Sequence, residues 1–318
     1  MSSARQSFSA EDRLGKWIDL LQIDKDATQP QFETIMVEQT LQNSKARVIN
    51  QDVLRTRADE PFFQSSFIKA VLKQTLLRFC SYYRIEYMQG LNEILAPFLA
   101  LNPETFDLSY SNAMHSNVES CDRDQLEVKN IAHPFGINLL IFDKFMSKLS
   151  PTTFSTRGVN ALQVQLTAFH FILMYHEPTL SIILRKEGMT PDIYAMSWLI
   201  TLFARRQPLN RALHIMDILL QLNTPHVTVF LAVALLRSHK HHILVECADM
   251  LPETLVALKF ESDEEIDVVF EDVLKLMAST PQSVILELEK FGFSNSIAES
   301  VREKGLKDLW VSNSGTNV

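Results

Sequence analysis

Ile68, Val71, Leu72, Leu76 and Phe79 recur at spacings of three and four, with Thr75 in the same register. That rhythm predicts a helix with one buried face. A second apolar block runs from Leu91 to Leu101 and contains Pro97. Beyond Pro103 the large apolar residues thin out, and 109–130 reads as an exposed loop or insertion. The helical rhythm resumes over Phe135–Leu149 and Val159–Tyr175, the latter closed by Pro178. Ile193–Phe203 is apolar nearly all round, as a central core helix would be. Leu209–Leu222, Val227–Leu236, His242–Met250, Asp263–Met277 and Gln282–Phe291 complete the series. Pro191, Pro208, Pro225, Pro252 and Pro281 stand at segment starts, where a missing backbone donor costs least.

Composition strengthens the helical reading. The chain of 318 residues holds only eight glycines and no Asn-Gly, Asp-Gly or Gly-Gly pair. Tight hairpins depend on such positive-φ positions. The expected fold is therefore all-α, and the length suffices for a large domain in two helical lobes. The expected divisions are a polar tail at 1–12, a first lobe at 13–135, a second lobe at 136–310 and a frayed tail at 311–318. A net charge of −8 argues against nucleic acid as the main partner. Cys80, Cys121 and Cys247 are far apart and in no metal-binding spacing, which suits a reducing compartment without zinc or disulfides. The longest strongly apolar run, Val227–Leu236, is about half of a membrane span. These features predict a cytoplasmic protein with no direct membrane insertion.

The usual signatures of self-contained catalysis are missing. There is no Gly-x-x-x-x-Gly-Lys loop and no Gly-x-Gly-x-x-Gly fingerprint. The run His239, Lys240, His241, His242 reads as a solvated helix junction, since adjacent helical positions do not face one another. His176-Glu177 lacks the second histidine of a zinc helix. No metal or cofactor of its own is expected.

Three short patterns occur in order: Arg13-x-x-x-Trp17, Ile49-x-x-Asp52-x-x-Arg55-Thr56, and Tyr87-x-Gln89-Gly90. By average usage the second would arise by chance in roughly one chain in twenty, and Tyr-x-Gln in about one in three. Their ordered coincidence in a helical chain is what carries weight. Together they resemble the motifs of the TBC family, activators of Rab-type GTPases. The resemblance continues at Pro191-Asp192-x-Tyr194-x-x-x-Trp198 and at His214-Ile215-Met216-Asp217, where Met216 stands in place of the family's tryptophan. Glu86 also departs from the pattern, occupying a position where glycine is common.

The resemblance implies a partner, a Rab-type small GTPase in its GTP state, whose GTP and Mg²⁺ are not this chain's own ligands. It implies that Arg55 enters the partner's site as an arginine finger and Gln89 as a second finger that orients the attacking water. Arginine suits the first role because its planar, permanently charged fork matches phosphate oxygens. Ile49, Asp52, Thr56, Tyr87 and Gly90 are expected to support the fingers, and Arg13, Trp17 and Trp198 to be structural. Asp52 and Arg55, three apart, share a helical face. Arg47 and Arg57 remain alternatives to Arg55, favoured less only by register. The alternative function is an adaptor of the same fold that binds a GTPase or trafficking protein without stimulating hydrolysis.

Overall fold

The computed structural model describes residues 8–23, 39–83, 86–101, 132–150, 158–224, 226–246 and 248–293. The expected loop at 109–130 and the tail at 311–318 lie outside the described residues. The secondary structure of the described residues is helical, with no strand among them. In chain order the helices are α1 Ala10–Leu20, α2 Gln39–Arg55, α3 Pro61–Gln64, α4 Ser66–Tyr83, α5 Leu91–Leu99 and α6 Ala132–Leu149. They continue as α7 Gly158–His176, α8 Pro178–Lys186, α9 Pro191–Tyr194, α10 Met196–Ile200, α11 Leu209–Leu222 and α12 Val227–Ser238. A π-helical turn at His242–Glu246 and a 3₁₀ turn at Ala248–Met250 lead into α13 Leu251–Ala257, α14 Asp263–Ser279 and α15 Gln282–Phe293.

The chain forms two compact units, and neither is continuous. One comprises Met1–Lys148 with Thr201–Leu222, the other Leu149–Ile200 with Asn223–Val318. A single cut near residue 135 therefore does not describe the division. The physical reason is α11, whose side chains complete the packing of the N-terminal segment.

In the first unit the core is built around Trp17, buried on α1. Its ring lies edge-on to Phe98 of α5 at 5.2 Å and stacks on Phe145 of α6 at 6.1 Å. Phe142 extends the cluster to Phe79 of α4 at 5.0 Å. Such pairs add about 0.5–1.5 kcal/mol each beyond the burial of their area. The indole N–H would be orphaned in this apolar setting, and it donates to Asp217 Oδ1 of α11 at 2.7 Å. Arg13, one turn before Trp17, donates from Nε to the same carboxylate at 3.0 and 3.1 Å. The backbone N–H of Phe8 supplies a further donor to Asp217 Oδ2 at 2.9 Å. Helix α1 thus starts earlier than the expected tail boundary, capped by the Ser9 hydroxyl, which accepts from the Asp12 N–H at 3.2 Å.

Asp217→Ala is expected to leave the buried Arg13 charge and the indole N–H without their acceptor, at a cost of about 3–5 kcal/mol. A thermal melt followed by circular dichroism should show the midpoint falling by about 10 °C. A drop under about 2 °C would mean that the carboxylate is not what ties α1 to α11.

In the second unit α7 is the central helix, flanked by α8, α9, α10, α12 and α15. Pro178 does not simply end the preceding helix. It occupies the first turn of α8, a helix the apolar pattern does not signal. Buried Glu177, at the junction, accepts from Lys240 Nζ at 2.7 Å and forms an ion pair with Arg237, whose Nε lies at 3.1 Å. His239 instead faces Glu265 at 3.3 Å, so the histidine run spreads its side chains over different partners. Among the described residues no three His, Cys, Asp or Glu side chains converge as a metal site would need. Trp198 is buried against Tyr194 at 5.6 Å, the structural position expected of it. Among the same residues no helix is long and apolar enough to cross a membrane.

The segment Ile193–Phe203 departs from expectation. It is two short helices, α9 and α10, followed by left-handed backbone at Leu202 (φ 49°) and Phe203 (φ 62°). An all-round apolar run reports burial but carries no period, so it does not reveal that the helix breaks.

Candidate functional site

Helix α2 ends at Arg55 because the chain turns into the left-handed region two residues later, at Arg57 (φ 45°). This is the place where glycine commonly closes a helix. Ile49, Asp52 and Val53 form the inward face of the last turns, and Ile49 is fully buried. Arg55 lies on the outward edge with its side chain 63% exposed, while the Asp52 side chain is only 1% exposed. The guanidinium Nη2 of Arg55 nevertheless reaches Asp52 Oδ1 and forms an ion pair with it.

A second arm of the network arrives from the approach to α5. Tyr87 donates its hydroxyl to Asp52 Oδ2 at 2.8 Å. Burial, followed by the hydrogen bond to Asp52, pushes the phenol far above its ordinary range, so it stays protonated and remains a donor. Gln89 Nε2 approaches Asp52 Oδ1 at 3.4 Å, a long contact with the oxygen that also takes Arg55. Two residues 37 positions apart in the chain, Asp52 and Gln89, are thereby joined, and with them Arg55.

Gly90 makes this approach possible. Its φ of 114° is strained for any residue with a Cβ, and it turns the chain directly into α5. Its N–H donates to Asn92 Oδ1 at 3.1 Å. Asn92 Nδ2 donates to Thr56 Oγ1 at 2.8 Å, and the Thr56 hydroxyl donates to the Asp52 carbonyl at 2.7 Å. A closed set of hydrogen bonds thus locks the end of α2 to the start of α5, and all the expected support residues take part or, like Ile49, pack beneath it.

Asn92 is a member of the site that the motifs do not include. Its signal is nonetheless present, because a buried asparagine in the apolar run Leu91–Leu99 needs partners. Arg57 also takes a role that spacing does not reveal. Its side chain turns inward, where Nη1 and Nη2 donate to the carbonyls of Gln207 and Ala204, both at 3.0 Å. Burial lowers its pKa, opposed by the charges of Glu93 and Glu60. Glu93 is in turn raised by burial and held down by Arg57 and Arg205. Arg57 is a clasp between α2 and the turn before α11, so it does not compete with Arg55 for an outward role. Arg47 is exposed on α2, about 12 Å before Arg55 along the axis.

The architecture is that of solved TBC domains. The Ypt/Rab-GAP domain of Gyp1p superposes with a TM-score of 0.56 at 15% identity, over 85% of this chain and 81% of that one. The Chlamydomonas flagellar RabGAP TBC domain gives 0.59 at 16% identity, over the same shares. The sequence matches the Rab-GTPase-TBC domain family over residues 13–244, more than half of the chain, and the chain belongs to that family. Among curated relatives, the TBC domain-containing protein kinase-like protein of Gallus gallus is 24% identical over 268 residues. The GTPase-activating protein GYP5 of Saccharomyces cerevisiae is 24% identical over 295 residues. These matches cover 84% and 91% of this chain but only 26% and 29% of the relatives' own length.

Proposed function

We propose that this protein accelerates GTP hydrolysis by a Rab-type small GTPase in its GTP state, supplying Arg55 and Gln89 in trans. The observation that carries the reading is the meeting of both side chains at Asp52 Oδ1. Hydrolysis needs the charge developing on the transferred phosphoryl oxygens neutralised and the attacking water oriented. A guanidinium answers the first need and an amide, with a donor and an acceptor, the second. An arginine finger supplies about 10³–10⁵ in rate, or roughly 4–7 kcal/mol of barrier.

Asp52, Tyr87, Asn92, Thr56 and Gly90 act by holding the two fingers at one place before the partner arrives. Organising them in advance lowers the entropy lost on engagement. Family membership and the name of the yeast relative, a GTPase-activating protein, support the activity. In this reading the protein works in the cytoplasm and in vesicle traffic, reaching endomembranes through its partner. It does chemistry only within the partner's site.

The test is a panel of purified Rab-type GTPases loaded with GTP and assayed with and without this protein. At least one is expected to show single-turnover hydrolysis accelerated by about a thousandfold or more, the low side of what an arginine finger supplies. A panel in which GTPases bind but none is accelerated would leave an adaptor as the function.

A further inference from the structure

Helix α2 carries a second feature beside the fingers. Its inward positions in the last three turns are Ile49, Asp52 and Val53, while Arg47, Val48, Asn50, Gln51, Leu54 and Arg55 face solvent. At about 100° per residue the outward set spans an arc of roughly 160°. Two large apolar side chains lie on it: Leu54, 57% exposed, and Val48, 37% exposed. A single exposed leucine is ordinary on any surface. The position of this pair is what distinguishes it.

We propose that Leu54, with Val48 on the other side of Arg55, is the apolar anchor through which the protein docks on the GTPase surface bordering the nucleotide phosphates. This rests on the reading of Arg55 as a finger. A specific interface covers about 800 Å² on each partner, a disc of roughly 16 Å radius. Leu54 adjoins Arg55 in the chain, and Val48 is seven residues back from Arg55, about 10 Å along the axis and some 20° around the helix. A partner whose interface is centred on Arg55 covers both.

The occupant therefore presents apolar side chains to either side of an anionic site, the complement of exposed Leu54 and Val48 with Arg47 and Arg55 between them. Of the carboxylates on this stretch of α2 only Asp52 is present, and it is buried. The face is thus locally basic on a chain of net charge −8, which favours approach to phosphates and gives a salt-dependent on-rate.

The experiment is a binding titration of the whole protein against Rab-type GTPases loaded with a non-hydrolysable GTP analogue, beside the hydrolysis assay. Leu54→Glu should weaken binding by about tenfold or more while the thermal midpoint stays within about 2 °C, because an exposed position contributes little to folding. Val48→Glu should act in the same direction, less strongly. If the wild type binds without accelerating hydrolysis and Leu54→Glu still weakens binding, docking stands and the catalytic reading falls. Unchanged affinity for Leu54→Glu overturns the docking proposal and leaves the fingers untouched. Absence of binding across the panel overturns both. Sedimentation that shows a dimer dissociated by Leu54→Glu, with GTPase binding unaltered, would assign the face to a second copy of this chain and overturn the proposal.

Discussion

Replacing Arg55 by alanine should reduce stimulated GTP hydrolysis by at least about a hundredfold, with binding of the GTPase largely kept. The finger's charge acts mainly on the transition state, so its loss falls on the chemical step. Folding should be nearly unaffected. The side chain is mostly exposed, and Asp52 keeps the Tyr87 hydroxyl as a partner once Arg55 is gone. Arg55→Lys should rescue poorly, because an ammonium offers a point charge where the fork of a guanidinium is needed. Single-turnover kinetics with the activator in excess gives the chemical rate free of product release. Should the alanine variant keep most of the activity, Arg55 is not the finger and Arg47 becomes the candidate. Arg57 does not, since it is turned inward with Nη1 and Nη2 donating to the carbonyls of Gln207 and Ala204.

The second large effect concerns Gln89 and a target deprived of its own water-orienting glutamine. A Rab-type GTPase with that residue changed to leucine, normally held in the GTP state, should still hydrolyse GTP when this protein is added. Gln89→Ala should abolish the rescue, because no amide then remains to hold the water. An adaptor would bind the GTP form, accelerate neither target, and be indifferent to the substitution. A third outcome is equally informative. If the normal target is accelerated and the glutamine-less one stays locked, the activator reading survives and the second finger does not.

Much of the arrangement is legible in the sequence, and the exceptions have physical causes. Spacings of three and four identify the helices whose one face is buried: Ser66–Tyr83 encloses the expected core positions, and Leu209–Leu222 matches at both ends. Segments buried on every side offer no such contrast. Ile193–Phe203 reads as one helix, yet buried Leu202 and Phe203 adopt left-handed backbone that their side chains do not announce. At the site, local spacing alone links Asp52 and Arg55, because three residues on a helix fix a geometry. Long-range partners are not legible. Nothing near Arg13 and Trp17 points to Asp217, and nothing near Arg57 points to Ala204. Such pairings are decided by how helices pack, which a local pattern does not encode. Asn92 sits between these cases: its place in an apolar run is visible, its partners are not.

The sharing of one carboxylate by Arg13, Trp17 and Phe8 also has a consequence for synthesis. The indole and its acceptor are separated by 200 residues. At about 5–20 residues per second, Asp217 leaves the ribosome some 10–40 s after Trp17. For all that time the start of the chain holds a guanidinium and an indole N–H whose final partner does not yet exist, so the native first unit cannot close while it is being made. Residues Leu149–Ile200 belong to the other unit and emerge in between. A transcript truncated between Gln89 and α11 would therefore yield a chain that contains both proposed fingers and cannot complete the unit that carries them.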